Sequence, residues 1–335
     1  MEGHVRAGER NLAVFFALSL VFPFATHSAA NSRDSAPPAP KKEQSSAAIS
    51  VNVDLVVLHA TVRDRRGRFI AGLQKQDFRV YDNDQLQTVE TFQHEDVPVA
   101  VGLVVDNSGS MWPKKSDVAA AALAFVRSSN AEDEMFVVNF NESVTFGLPD
   151  TKLFSASPSE LDAALMGVPP TGKTALYDAI ETALTHLQKA NRDKKVLIVI
   201  SDGGDNASKL TLKQVLQEAE RSDAIMYTIG LFDEDDTDRN PRVLKQIAHA
   251  TGGEAFFPEE TNAVVKICEG IAADLRSQYT IAYSPTNRTP DAGYRTIKVT
   301  AAGPHGAKLL VRTRAGYVAS PDRESPAAGS QDSVR

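Results

Sequence analysis

The chain has 335 residues, 42% of them hydrophobic and 24% charged, an ordinary globular composition with length for one large domain and a smaller one. Its 36 Lys and Arg against 43 Asp and Glu leave a formal charge of -7. No basic run could track a phosphate backbone, which excludes nucleic acid as an expected partner. The single cysteine, Cys268, excludes an intramolecular disulfide and a multi-cysteine zinc site; set among Val264, Val265, Ile267 and Ile271, it reads as a buried thiol on an apolar helix face.

At the N-terminus, Arg6 and Arg10 precede an apolar stretch from Leu12 to Ala25, and Ser28-Ala29-Ala30 supplies small residues where a signal peptidase reads. Residues 1–30 therefore read as a secretory signal cleaved after about Ala30, and the mature chain as exported to the periplasm or the extracellular space. The apolar stretch is shorter than the roughly 20 residues of a bilayer span, so a membrane is an expected partner only if the segment is retained as an anchor. Residues 31–47 are rich in Pro, Ser, Ala and charge, and read as a disordered tether. Residues 48–96 read as a small β-rich module. Alternation from Val51 through Thr61 predicts two strands and a hairpin ending at Arg65-Arg66-Gly67-Arg68. Phe78, Val80 and Tyr81 predict a further strand, Asp82-Asn83-Asp84 a turn, and Gln87 to Phe92 another strand.

From residue 97 the pattern changes. Val99 to Val105 is a continuous apolar run, as in a strand buried on both faces of a parallel sheet, and ends in Asp106-Asn107-Ser108-Gly109-Ser110. A helix over Asp117–Arg127, strands over Met135–Phe140 and Val144–Phe146, and a helix over Pro158–Met166 follow. Ser157-Pro158-Ser159-Glu160 offers that last helix an N-cap, a first-turn proline and a capping-box glutamate. Next come a helix over Ala175–Lys189, a strand over Val196–Ile200 ending in Ser201-Asp202-Gly203, a helix over Leu212–Arg221 and a strand over Ile225–Ile229. A helix over Arg242–Ala250, a short strand near Ala255–Phe257 and a helix over Ala263–Arg276 complete the series. Strands alternating with helices predict an α/β domain over 97–276, a doubly wound, mostly parallel six-stranded sheet. β character returns over 277–318 (Tyr279–Tyr283, Thr296–Thr300, Leu309–Arg312), and 319–335 read as a disordered tail. Because β segments flank the α/β region, N- and C-terminal strands are expected to pair into one β-rich module with the α/β domain inserted.

In an open parallel sheet, ligands collect beyond the carboxyl ends of the strands. Two strands end there in oxygen donors suited to a hard cation: Asp106, Ser108 and Ser110 on one, Asp202 on the other. Thr174, after Pro169-Pro170-Thr171-Gly172-Lys173, could bring its hydroxyl to the same crevice. Carboxylate and hydroxyl oxygens with room for water suit Mg²⁺ or Mn²⁺, with Ca²⁺ a further alternative.

The pattern Asp-x-Ser-x-Ser, then Thr, then Asp resembles the metal-ion-dependent adhesion site of the von Willebrand factor A family, over roughly residues 97–276. The stretches GRFIAGLQKQDFRVYDN, VGLVVDNSGSM, GKTALYDAI, LIVISDGGDN and RTRAGY resemble the von Willebrand factor A-related proteins common in acidobacteria. The resemblance implies that Ser108, Ser110 and Thr174 contact the cation directly while Asp106 and Asp202 act through water. It further implies that an exposed Asp or Glu of a protein partner completes the coordination, so the chain is expected to be an adhesion-type binding module and not an enzyme.

Competing signals read more weakly. Gly167-Val168-Pro169-Pro170-Thr171-Gly172-Lys173-Thr174 fits the G-x-x-x-x-G-K-T pattern of a phosphate-binding loop and would make the chain an ATP hydrolase. Such a loop must follow a strand, however, and the preceding segment reads as a helix; the two prolines also remove N–H donors. A structural module with a vestigial metal site is the other alternative. Ser108 lacks a histidine base at a neighbouring strand end, which argues against nucleophilic catalysis, and His186 and His249 fall within helices. The acidic run Asp233 to Asp238 reads as a solvated loop that would repel strongly acidic surfaces. Trp112 is either an exposed partner anchor or a cap on the sheet edge.

Overall fold

The computed structural model describes residues 55–94, 96–232, 239–260, 262–287, 293–303 and 307–319. The expected signal, tether and acidic run fall on residues 1–47 and 233–238, outside the described residues, as does the expected tail over 319–335 apart from the buried Ala319. No helix among the described residues is long and apolar enough to cross a membrane.

The first four strands are β1 (Val56–Arg63), β2 (Phe78–Asp82), β3 (Gln85–Gln87) and β4 (Thr91–Gln93). The α/β region then supplies β5 (Val99–Asp106), α1 (Lys115–Ser128), β6 (Glu134–Phe140), β7 (Val144–Phe146), α2 (Pro158–Met166), α3 (Leu176–Leu187) and β8 (Lys194–Ser201). It continues through α4 (Leu212–Arg221), β9 (Ile225–Gly230), α5 (Pro241–Ala250), β10 (Ala255–Phe256) and α6 (Ala263–Arg276). Four strands close the described chain: β11 (Tyr279–Tyr283), β12 (Tyr294–Ala301), β13 (Leu310–Arg312) and β14 (Gly316–Val318).

The central sheet has six strands in the order β10-β9-β8-β5-β6-β7, parallel except for the antiparallel edge strand β7. Every residue of β5 is buried, as its unbroken apolar run requires of a strand covered on both faces. Gly102 lies at its middle because the neighbours fill the space: a Cβ there would come within 2.5 Å of both Leu197 and Phe136. Helices α1, α2 and α6 pack together, while α3, α4 and α5 form a second group, giving the doubly wound arrangement. The order reverses at β5, whose neighbours β6 and β8 both run parallel to it, so the carboxyl ends of β5 and β8 open the crevice that holds the candidate site.

The remaining strands form two four-stranded sheets, β13-β1-β11-β4 and β14-β12-β2-β3, whose pairings are antiparallel. They share a core built from Leu58, Ala60, Val62, Phe78, Val80, Tyr279 and Ile281. Each sheet mixes strands from before and after the α/β region, so the domain is inserted into a β-rich module, as expected from the flanking strands. The turn at Asn83 and Asp84 takes left-handed φ values of 45° and 62°, a conformation that Asn and Asp tolerate.

Three local expectations fail. Of the alternation through Thr61, residues 51–54 lie outside the described residues and the part from Val56 belongs to β1, whose partner after the Arg65-Arg66-Gly67 turn is a single bridge from Arg63 to Phe69 in place of a hairpin strand. The stretch Gln87 to Phe92 is divided, because β3 pairs with β2 whereas β4 pairs with β11 in the other sheet. Ser157 makes no capping bond to helix α2 and no capping box forms. Glu160 is instead drawn to Lys152 and Ser155, whose Nζ and Oγ each lie 2.5 Å from its carboxylate, and the Ser157 hydroxyl pairs with that of Ser159 at 3.0 Å.

A buried acidic hub joins the α/β domain to the β-rich module at the amino ends of the strands. Asp274 of α6 accepts hydrogen bonds from the Thr61 hydroxyl of β1 at 2.7 Å and the Tyr227 hydroxyl of β9 at 2.8 Å, and pairs with Arg312 of β13. The Gln278 amide donates to both hydroxyls at 3.2 Å. Beside it, Lys194 at the start of β8 donates to the Leu275 carbonyl at 2.5 Å; burial lowers its pKa to about 8.

Candidate metal centre

The strand ends bring Asp106, Ser108, Ser110 and Asp202 into one crevice. The Ser108 and Ser110 hydroxyl oxygens lie 3.1 Å apart, and the Ser110 hydroxyl donates to Asp202 Oδ2 at 2.5 Å. Asp106 Oδ1 accepts the Ser108 N–H at 2.8 Å, which folds the chain back after β5, and Asp106 Oδ2 accepts the Ser201 hydroxyl at 2.6 Å. Asp202 Oδ1 accepts the Gly204 N–H at 2.9 Å. Gly203 makes this turn possible: its φ is +81°, and a Cβ would stand 2.6 Å from the Asn240 carbonyl oxygen.

Thr174 arrives on the loop between α2 and α3, which is pinned to the β5 loop by main-chain bonds. Thr171 N–H donates to the Asn107 carbonyl at 2.8 Å, and Gly109 N–H to the Gly172 carbonyl at 3.2 Å. At the loop's entry, Lys115 Nζ donates to the carbonyl of Val168 and reaches Asn107 Oδ1 at 3.5 Å. Asn107 also donates its side-chain amide to Asn139 Oδ1 at 2.9 Å, and Asn139 donates to the Ala164 carbonyl at 2.8 Å, so a buried asparagine pair ties β5 to β6 and α2.

Although Asp106 stands at a strand end, where exposure would be expected, it and Asp202 are both only 2% exposed. Burial, followed by the neighbouring Asp202 charge, pushes the Asp106 carboxyl up to about 7. Two carboxylates confined together with hydroxyl oxygens form a hard, oxygen-only donor set with surplus negative charge. That chemistry fits a divalent cation and gives soft-metal ligands no part.

The G-x-x-x-x-G-K-T segment follows helix α2 and not a strand, which removes the framework a phosphate-binding loop needs. Lys173 is exposed, with its N–H donating to Glu142 Oε2 at 3.0 Å. Trp112 lies in a short 3-10 helix (Gly109–Lys114) and is 66% exposed, so it does not cap the sheet edge. His186 is buried against Phe136 and Phe146 with Nε2 2.9 Å from the Leu153 carbonyl oxygen, a packing role remote from the crevice. Cys268 is fully buried and its thiol is pushed up to about 12 by desolvation, which leaves it inert. Sequence reasoning missed Ser201, Asn107, Asn139 and Lys115. Ser201 could have been found from its place beside Asp202 at the end of β8, whereas the asparagine pair joins residues 32 apart in sequence.

Residues 101–204 match the family model of the von Willebrand factor type A domain, a segment that contains all five candidate ligands. Among curated proteins, inter-alpha-trypsin inhibitor heavy chain H2 of Homo sapiens is 23% identical over 231 residues, covering 65% of this chain and 23% of that protein. The same heavy chain of Mesocricetus auratus is 29% identical over 147 residues, 41% of this chain and 15% of that protein. The chain thus spans under a quarter of the length of these relatives. Among solved structures, a von Willebrand factor type A protein from Catenulispora acidiphila is 16% identical with a TM-score of 0.49, covering 73% of this chain and 74% of that one.

Proposed function

The chain carries a von Willebrand factor type A domain, a type that commonly mediates protein–protein interaction, and we propose that this one is an exported binding module working through a divalent cation. Ser108, Ser110 and Thr174 would hold Mg²⁺, or Mn²⁺ or Ca²⁺ in its place, with Asp106 and Asp202 acting through water. Three neutral hydroxyls leave much of the ion's charge uncompensated, so a coordination position open to solvent favours a carboxylate. An exposed Asp or Glu of a protein partner supplies it. The single observation that supports this reading is the convergence of side-chain oxygens, Ser108 to Ser110 at 3.1 Å and Ser110 to Asp202 at 2.5 Å, beside a second buried carboxylate at the switch point of the sheet.

The test uses Mn²⁺ as a paramagnetic probe with the full chain. Binding at an open position should enhance water-proton relaxation. A short peptide with one Asp should reverse that enhancement by displacing the bound water, while its Asn counterpart should not. Failure of Mn²⁺ to bind, or equal responses to the two peptides, would contradict the proposal.

A further inference from the structure

We infer that Asn206 is a positioning residue of the proposed cation site, clasping Thr174 onto the loop that carries Asp202; the inference rests on the cation reading above. The five candidate ligands come from three separate stretches of chain. Asp106, Ser108 and Ser110 follow β5 and Asp202 follows β8, so the sheet itself sets their relative positions. Thr174 is different, because it stands on a connection between two helices and no strand fixes it.

Asn206 makes good that deficit. Its Oδ1 accepts the Thr174 N–H at 2.9 Å, and its own N–H donates back to the Thr174 carbonyl at 3.0 Å. The Ala207 N–H reaches the same carbonyl at 3.0 Å. Thr174 thereby gains a two-way pairing like that of a strand residue, although neither partner lies in a strand. Its neighbour is anchored too, since the Ala175 N–H donates to the Asn141 carbonyl at 2.7 Å. Asn206 lies four residues beyond Asp202, on the far side of the left-handed turn at Gly203. One short loop therefore carries a carboxylate of the site at one end and holds the threonine of the site at the other. A shift of either loop must move both groups, so the Thr174 hydroxyl and the Asp202 carboxylate are kept in register.

The geometry makes the side-chain acceptor the essential feature. Asn206→Leu keeps the approximate shape and removes the acceptor; Asn206→Asp keeps the acceptor. Mn²⁺ affinity of the full chain should fall about fivefold in Asn206→Leu, the effect of one hydrogen bond, and be at least that of the wild type in Asn206→Asp. In a Thr174→Val background, Asn206→Leu should cost no further affinity, because it acts through the threonine. Metal-free amide exchange at Thr174 should quicken in Asn206→Leu. Wild-type affinity in Asn206→Leu, or a loss that persists undiminished in the Thr174→Val background, would overturn the positioning role. Absence of Mn²⁺ binding by the wild type would bring down the cation reading instead, and unchanged exchange at Thr174 would then separately refute the clasp.

Discussion

The two ends of the central sheet each bury acidic side chains, and they treat them in opposite ways. At the amino ends, Asp274 meets the guanidinium of Arg312 and two hydroxyl donors, drawn from β1, β9 and β13. At the carboxyl ends, Asp106 and Asp202 are closed in with neutral hydroxyls and each other, and the second charge helps raise the carboxyl pKa of the first. A carboxylate compensated by a fixed protein cation is part of the architecture. A pair held by hydroxyl and main-chain N–H donors is where the proposed cation would supply the missing charge. The same contrast separates what joins the β-rich module to the α/β domain from the crevice that the cation proposal concerns.

The contrast is broken most directly by neutralising one carboxylate at each end. Asp274→Asn should lower stability by about 3 kcal/mol, because Arg312 then keeps only Glu254, 3.5 Å away, to offset its partial burial. Thermal unfolding of the full chain checks this, and a wild-type midpoint would show that the hub holds nothing together. Gly203→Ala should cost about 2 kcal/mol, since both the +81° φ and the 2.6 Å approach to Asn240 oppose a Cβ. An unchanged midpoint would mean that the turn beside Asp202 yields easily.

His59 lies on β1, on the module side of the junction. Burial, then the Lys194 charge, lowers its pKa from 6.5 to about 3, so the folded state holds it neutral while the unfolded chain takes up a proton. Its contribution is present above pH 6.5 and is lost as pH falls from 6.5 toward 3. Denaturant midpoints measured over that interval should therefore fall more steeply for the wild type than for His59→Gln; parallel curves would show that the ring is protonated in the fold. The smallest effect is expected at the crevice. Asp106→Asn relieves the repulsion with Asp202 and keeps an acceptor for the Ser108 N–H, so its stability should stay within about 1 kcal/mol of the wild type. A loss as large as that of Asp274→Asn would erase the distinction between the two ends.

Much of this arrangement was legible in the residues themselves. The apolar run from Val99 to Val105 and the periodic helices announced the doubly wound sheet, because burial on both faces leaves a pattern that local reading can see. The ends of β5 and β8 carried Asp106, Ser108, Ser110 and Asp202 in plain view, since strand ends are local features. What escaped was set by distant partners. Asp274 on α6 looks like any charge on a helix until residues 61, 227 and 312 are brought around it. The division of Gln87 to Phe92 between two sheets depends on β11, nearly 200 residues later, and the buried Asp106 is bonded to Ser201, 95 residues away. Glu160 met every local condition for a capping box, yet Lys152 and Ser155 drew it away.

Calorimetric titration of Mg²⁺ into the full chain, beside its Asp106→Asn and Asp274→Asn variants, probes the crevice itself. A single ion should bind to the wild type and to folded Asp274→Asn, with affinity reduced at least tenfold in Asp106→Asn. Binding that survives intact in Asp106→Asn, or no binding by the wild type, would show that the carboxyl end of the sheet is not a cation site.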